Sequence, residues 1–171
     1  MIINQKKFTL RSYRRKDENA LRKNINDKII SKCTIDIPYP YKLKDAREWI
    51  DKNLKLDKLK KKVEINWAIE INGEAVGGIG LDKITNHKAE IGYWLGRRYR
   101  GQGIMTKAVK LITAYAFKEL RLRRIYAFVF TFNQASVRVL EKAGYKFEGK
   151  LRKNFFKKGK TIDSLLFAKI K

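Results

Sequence analysis

Between Ala89 and Phe132 the chain changes hydrophobic period twice, and that change limits the fold more than any other feature. Ala89, Ile91, Tyr93 and Leu95 alternate with Glu90, Gly92 and Trp94, the period of two expected of a half-buried strand. Met105, Ala108, Val109, Ile112, Tyr115, Ala116 and Leu120 then recur at three and four residues, which predicts a strong amphipathic helix. Ile125 to Phe132 is almost wholly apolar and reads as a central strand covered on both faces. Asn133 follows as a helix cap, with Val139, Leu140 and Ala143 as the apolar stripe and Gly144 in the left-handed position that ends a helix. The outcome is a strand–helix–strand–helix core.

Elements around that core follow from simpler signals. Phe8 and Leu10, with Ile3, predict an opening strand, and a polar, helix-favouring stretch runs from about Asp17 to Asn26. Pro38 and Pro40 force an extended loop around Ile37 to Tyr41. Helical periodicity returns near Asp45, with Ala46, Trp49 and Ile50 on one face. The run from Lys52 to Lys62 reads as a solvated helix face with Leu54, Leu56 and Leu59 as its buried contacts. Trp67 to Ile71 alternates, Asn72-Gly73 signals a type I′ hairpin turn, and Ala75 to Leu81 returns carrying Gly77, Gly78 and Gly80. Glycines inside a strand predict close backbone approach or a bulge. Two last strands, Tyr145 to Phe156 and Thr161 to Ile170, flank a turn at Lys158-Gly159. No linker or repeat interrupts the sequence, so residues 1–171 are expected to form one mixed α+β domain with a mostly antiparallel sheet.

Composition excludes several classes of function. One cysteine, Cys33, rules out an intrachain disulfide and a multi-cysteine zinc cluster, and one histidine, His87, argues against a His-rich metal site, so no metal is expected. Cys33 is expected to be a small buried or half-buried residue and His87 a turn residue, with service as a general base its minority role. No apolar run reaches membrane-spanning length, and the first residues do not resemble a secretory signal, so a cytoplasmic protein without membrane attachment is expected. Lys and Arg number 41 against 17 Asp and Glu, a net charge of +24. That charge is spread over several patches, which suits association with RNA or a ribosome as well as the general surface of a lysine-rich proteome.

Chemistry concentrates in Arg98-Tyr99-Arg100-Gly101-Gln102-Gly103-Ile104-Met105-Thr106, between the strand and the long helix. Gly101 and Gly103 free the backbone to turn so that successive N–H groups aim at one anion. The helix N-terminus and the neighbouring arginines add positive charge. The pattern suits a pyrophosphate, although a plain tight turn would use the same glycines. Thr106 stands where a dinucleotide fingerprint needs glycine, and no Gly-Lys-Ser/Thr run makes a Walker loop.

Arg98-x-x-Gly101-x-Gly103 at a strand–helix junction resembles the acetyl-CoA pyrophosphate signature of the GNAT acetyltransferase superfamily. Ala89 to Leu95 is similar to that family's fourth strand. Asn133-Gln134-Ala135-Ser136-Val137-Arg138-Val139-Leu140-Glu141-Lys142-Ala143-Gly144-Tyr145-Lys146-Phe147-Glu148-Gly149 is similar to the branch holding the RimJ/RimL ribosomal-protein N-terminal acetyltransferases. The resemblance implies a six- or seven-stranded mixed sheet whose fourth and fifth strands splay apart to hold the pantetheine arm. It implies acetyl-CoA as cosubstrate, and direct attack of an amine on the thioester without a covalent enzyme intermediate.

By matching position, the backbone of Tyr93, Trp94 and Leu95 would pair with pantetheine. N–H groups from Arg98 through Arg100, Gly101, Gln102, Gly103 and Ile104 to Met105 would hold the pyrophosphate. Asn133 would hydrogen-bond the pantetheine, or act only as a helix cap. Arg138 and Lys142, one helical turn apart, would reach the cofactor's phosphates or remain solvated. Glu90 is the candidate general base, directly or through water, or else a lysine partner across the sheet. Many relatives place a tyrosine acid where this chain has Leu140; the resemblance to the RimL-like branch implies Ser136 as the substitute, with ordinary helix capping as its other reading.

The acceptor is expected to be a protein N-terminal amine, as on a ribosomal protein. Deprotonating an α-amine at pH 7 costs about 1 kcal/mol against about 5 for a lysine side chain, which suits one modest carboxylate. A small-molecule amine such as a polyamine or an antibiotic is the alternative acceptor, and a non-catalytic RNA-binding module is the competing class. Phe155 and Phe156 beside Lys157 and Lys158 would serve such a module, but they are expected to pack within their hairpin. Either a monomer or a homodimer is compatible with the sequence.

Overall fold

Asn72 and Gly73 both take positive φ, 49° and 79°, as a type I′ turn requires, and join β3 (Ile65–Ile71) to β4 (Glu74–Asp82). This computed structural model describes residues 2–171; Met1, the first residue of the expected domain, lies outside them. Ahead of that hairpin come β1 (Ile3–Gln5), β2 (Phe8–Arg11), α1 (Glu18–Ile25), α2 (Lys28–Cys33) and α3 (Leu43–Lys58). After it come β5 (Lys88–Leu95), α4 (Ile104–Lys118), β6 (Arg124–Phe130), α5 (Gln134–Lys142), β7 (Lys146–Lys157) and β8 (Lys160–Ile170).

All eight strands form one sheet in the order β1-β2-β3-β4-β5-β6-β8-β7, antiparallel except where β5 meets β6. The expectation of six or seven strands falls short because a turn at Lys6-Lys7 folds the opening segment into the β1–β2 hairpin. The parallel pair β5–β6 is short. It runs from Lys88↔Arg124 to Glu90↔Tyr126, and β5 then continues to Leu95 without a neighbour on that side. The two strands therefore diverge beyond Glu90, the splay that the family resemblance implies.

The sheet's two faces bury different clusters. On one, Ile79, Leu81, Ala89, Ile91, Ile125, Ala127 and Val129 pack against Met105, Ala108, Val109 and Ile112 of α4 and Val137 and Leu140 of α5. On the other, Tyr13, Leu21, Ile25, Ile30, Tyr41, Ala46 and Ile50 pack over Ala68 and Ala75. Close approach explains the glycines of β4. A Cβ at Gly78 would fall 2.4 Å from the Tyr13 hydroxyl and 2.5 Å from the Trp94 ring nitrogen.

Several details correct the sequence reading. Leu59 lies past the end of α3 and is 47% exposed; Asn53 is buried in its place, donating to Trp49 O at 2.7 Å and accepting from Asn66 at 2.9 Å. The second face of β6 is only partly covered: Phe130 is buried there, but Tyr126 and Phe128 are half-buried and stack edge-on with each other, Phe128 in turn meeting Phe155. Phe155 packs as expected, 5.5 Å from the ring centre of Phe130, but Phe156 points away and is 70% exposed. Val137 joins Leu140 as the buried pair of α5, whereas Val139 is half-buried. His87 occupies an exposed turn, where its carbonyl accepts from the Arg123 and Arg124 N–H groups. Cys33 is half-buried, and burial pushes its thiol up from the ordinary value.

Candidate active site

The junction between β5 and α4 opens on the exposed glycines Gly101 and Gly103, with φ of 76° and 75°. A Cβ at either would meet nothing within 4 Å, so the backbone conformation and not crowding asks for glycine. The first helical bond of α4 runs from the Lys107 N–H to the Gly103 carbonyl at 3.1 Å. Among the described residues, the N–H groups of 101–106 have no intrachain partner. Six successive free donors at the positive end of a fifteen-residue helix make a cradle for an anion.

This placement shifts the expected donor set. Tyr99 and Arg100 do not offer their N–H groups, which close a short 3₁₀ turn onto Gly96 O and Arg97 O at 3.0 and 3.3 Å. The free run therefore starts at Gly101 and includes Thr106 beyond Met105. Arg98 is exposed beside the cradle, and Gln102 donates to Arg98 O at 3.0 Å. The Arg100 side chain is engaged elsewhere, donating to the Leu95 carbonyl and to Asp27, each at 2.9 Å.

Tyr93, Trp94 and Leu95 lie on the stretch of β5 that lacks a β6 partner. The Gly96 N–H donates to Val76 O of β4 at 2.8 Å, so by strand alternation the backbone groups of Tyr93 and Leu95 face the open side. Leu95 O is there met by Arg100, as noted. Glu90 sits on the last paired rung, at the vertex of the splay, and ion-pairs with Lys83 at 2.8 Å. That hydrogen bond raises the Lys83 ammonium above its ordinary value. The structure thus provides the lysine partner that was the other reading of Glu90, while leaving the carboxylate at the vertex.

α5 brings its first turn to the opposite side of the splay. Asn133 caps the helix, its Oδ1 accepting from the Ser136 N–H at 3.2 Å. The Ser136 Oγ lies 2.8 Å from the Tyr93 hydroxyl, which also reaches Ser136 O at 3.3 Å. Burial pushes the Tyr93 phenol well above its ordinary value, so it remains protonated at neutral pH. Arg138 and Lys142 are exposed on the outer face of α5. Sequence reasoning misses the Tyr93 hydroxyl, assigning Tyr93 only a backbone role. The available signal is that Tyr93 falls on the same strand face as Ile91, toward α4 and α5, in a chain that lacks the relatives' tyrosine at Leu140.

Residues 7–146 match a family model described as an acetyltransferase (GNAT) domain. YjcK of Bacillus subtilis (strain 168), to which N-acetyltransferase activity is ascribed, is 49% identical over 82 residues, 46% of this chain and 45% of that protein. YdaF of the same organism, for which a ribosomal N-acetyltransferase activity is proposed, is 35% identical over 102 residues, 58% of this chain and 56% of that protein. The spermidine N(1)-acetyltransferase of Escherichia coli (strain K12) is 30% identical over 104 residues, 60% of this chain and 56% of that enzyme. The chain thus spans about half the length of these relatives. Among solved structures, the ribosomal L7/L12 alpha-N-protein acetyltransferase RimL in complex with coenzyme A superposes with a TM-score of 0.88 at 24% identity, covering 99% of this chain and 98% of that one. At that identity the likeness concerns the fold.

Proposed function

Because the chain belongs to the GNAT acetyltransferase family, we propose that it moves the acetyl group of acetyl-CoA onto the N-terminal α-amine of a protein such as a ribosomal protein. The observation that carries this reading is the run of free N–H groups at 101–106 beside an open strand edge at Tyr93–Leu95. A diphosphate fits those donors and the helix dipole behind them, and an extended amide-bearing arm fits the Tyr93 backbone and the Leu95 N–H on the open side of β5, the Trp94 groups facing β4 and Leu95 O being taken by Arg100. Arg98, Arg138 and Lys142 add cations for the remaining phosphates, and Asn133 Nδ2 is turned to no protein acceptor among the described residues. In this reading residues 1–171 act as one N-acetyltransferase domain that works in the cytoplasm and needs no metal.

Bound acetyl-CoA supplies an acyl group activated as a thioester. The chain's own residues then have two tasks. Glu90, at the vertex, takes the proton from the acceptor amine, directly or through water, with Lys83 holding the carboxylate in place. Ser136, whose hydroxyl meets the neutral Tyr93 phenol at the positive end of α5, supplies a proton to the departing sulfur; Tyr93 passes its own proton to Ser136, and water returns one to Tyr93.

Both ribosomal-protein and polyamine acetylation occur among the similar proteins. Electrostatics favours the first. A polyamine carries several positive charges and needs a carboxylate cluster, but Glu90 is paired with Lys83 and Asp27 with Arg100, and the protein as a whole bears +24. A ribosome or nascent chain beside ribosomal RNA is instead attracted to this surface. Incubation with acetyl-CoA and a panel of N-terminal peptides, ribosomal proteins and polyamines, read by mass spectrometry, tests the proposal. Acetylation confined to spermidine would overturn the acceptor, and thermal stability indifferent to coenzyme A would overturn the cosubstrate.

A further inference from the structure

Asp27 divides its two carboxylate oxygens between two elements. Oδ1 accepts from the Ile29 N–H at 2.7 Å and caps α2, while Oδ2 accepts from Arg100 Nη2 at 2.9 Å. Arg100 Nε donates to Leu95 O at the end of β5, and Arg100 immediately precedes Gly101, where the free amides begin. One guanidinium therefore joins α2, the open edge of β5 and the anion cradle. The far end of α2 is held too, since the Lys157 ammonium donates to the Ser31 and Thr34 carbonyls. Between these fastenings α2 lies over the end of β6, with Lys32 Nζ 5.1 Å from the ring centre of Phe132, next to Asn133. With Ile30 in the cluster on the sheet face opposite α4, α2 stands between the end of β5, reached through Arg100, and the segment just after β6, reached through Lys32.

We propose that Arg100 and Asp27 are positioning residues that link occupancy of the 101–106 cradle to the placement of α2, so that loading the acetyl donor tightens the acceptor side. The inference rests on the acetyl-CoA reading above. An anion held by the cradle restrains the backbone at Gly101 and with it the Cα of Arg100. The guanidinium is then left in one position relative to Leu95 O, and Asp27 can follow it only by carrying the first turn of α2. Arg100 and Asp27 are 34% and 18% exposed, sheltered enough for the pair to outlast the screening that weakens surface ion pairs. Linkage is reciprocal, so an occupied acceptor side tightens the cradle by the same factor.

Hydrogen exchange of the full chain, with and without saturating coenzyme A, tests this. In the wild type, coenzyme A should slow exchange at 101–106 and also at Ile29 and Ser31–Cys33, the latter by on the order of 5-fold. Asp27→Asn retains a capping oxygen but loses the charge. It should keep the slowing at 101–106, lose the coenzyme-dependent slowing in α2, and raise the KM for an acceptor peptide with little change in kcat. Arg100→Lys should retain part of the α2 response and Arg100→Ala none, a ranking that a merely structural role does not produce, because it would alter α2 equally with and without coenzyme. Slowing at 101–106 with no α2 response in the wild type overturns the coupling alone, as does a full α2 response in Asp27→Asn. Absence of slowing at 101–106 itself overturns the acetyl-CoA reading on which the coupling depends.

Discussion

The Tyr93 hydroxyl on β5 lies 2.8 Å from the Ser136 Oγ in the first turn of α5, bridging the two sides of the splay. Both groups are neutral at physiological pH, and the helix terminus favours negative charge developing beside them. A proton leaving Ser136 toward sulfur is replaceable from Tyr93, which in turn regains one from water. Ser136→Ala should lower the single-turnover acetyl-transfer rate by about 10- to 100-fold at saturating acetyl-CoA. Tyr93→Phe should fall less far, because Ser136 remains and water substitutes as the second donor. Equal rates in Ser136→Ala and wild type would send the assignment to another donor.

Gly103→Asp should abolish the thermal stabilisation by coenzyme A. Its φ of 75° costs an L-residue about 1 kcal/mol, a modest loss for the fold. The added carboxylate, however, stands among the free N–H groups and repels the diphosphate. Gly103→Ala carries the same backbone cost without charge, so it should retain a reduced shift in Tm. Thermal denaturation of both variants, with and without coenzyme A, separates charge from strain.

The β5–α4 junction is legible in the sequence because its signals are local: a period change, two spaced glycines and an apolar helix face within thirty-odd residues. Partnerships between distant side chains are not. Tyr93 and Ser136 are 43 positions apart, and Asp27 and Arg100 are 73 apart. Charge alone offers Arg100 every carboxylate in the chain, and only the packing of α2 selects Asp27. Arg97 to Arg100 reads as a uniform basic cluster, yet the 3₁₀ turn occupies the Tyr99 and Arg100 amides and leaves Arg97 and Arg98 exposed. Leu59 misleads for a related reason. Helical spacing places it with Leu56, but α3 stops at Lys58 and Asn53 completes the inner face through its bond to Asn66.

Glu90→Gln should lower turnover near neutral pH while leaving coenzyme A affinity within about 2-fold, since the carboxylate serves the amine. The defect should shrink as pH rises toward the amine's own pKa, about 8, where the acceptor loses its proton unaided. Lys83→Met removes the partner 2.8 Å away and should lower kcat by less, because the carboxylate persists at the vertex without its anchor. A pH-rate profile for each variant distinguishes the base from its support. A Glu90→Gln enzyme with wild-type rates across that profile would exclude Glu90.

Arg11 is 1% exposed and places both terminal nitrogens on Asp17, at 2.7 and 2.8 Å, while its Nε donates to Glu70. This clamp fixes the start of α1 against β2 and β3. Asp17→Ala leaves the buried cation with one carboxylate and also removes the acceptor for the Arg14 N–H at 2.8 Å. Breaking one side of such a pair costs about 3–5 kcal/mol, measurable as a fall in the urea midpoint. Arg11→Met with Asp17→Asn and Glu70→Gln should recover much of the loss, since no buried charge then lacks a partner.

Alkaline conditions should expose the cost of burying phenols. Tyr13, Tyr41, Tyr93 and Tyr145 all have their ionisation pushed upward, in each case first by burial. A folded-state pKa above the unfolded one favours the protonated form in the native state. The stabilisation is complete below the unfolded value of about 10 and is lost as pH climbs through the folded value, because only the unfolded chain gains by ionising. Tyr145 serves to measure the effect, its hydroxyl bonded to Thr113 Oγ1 at 2.7 Å. Tyr145→Phe should cost about 1 kcal/mol at pH 7 through the lost hydrogen bond, while the Thr113 hydroxyl still donates to Val109 O. Above pH 10 or so the variant should lose stability less steeply than the wild type, so the difference between them narrows. Urea unfolding of both proteins at neutral and alkaline pH measures that narrowing, and parallel curves would mean that Tyr145 ionises as freely in the fold as in the unfolded chain.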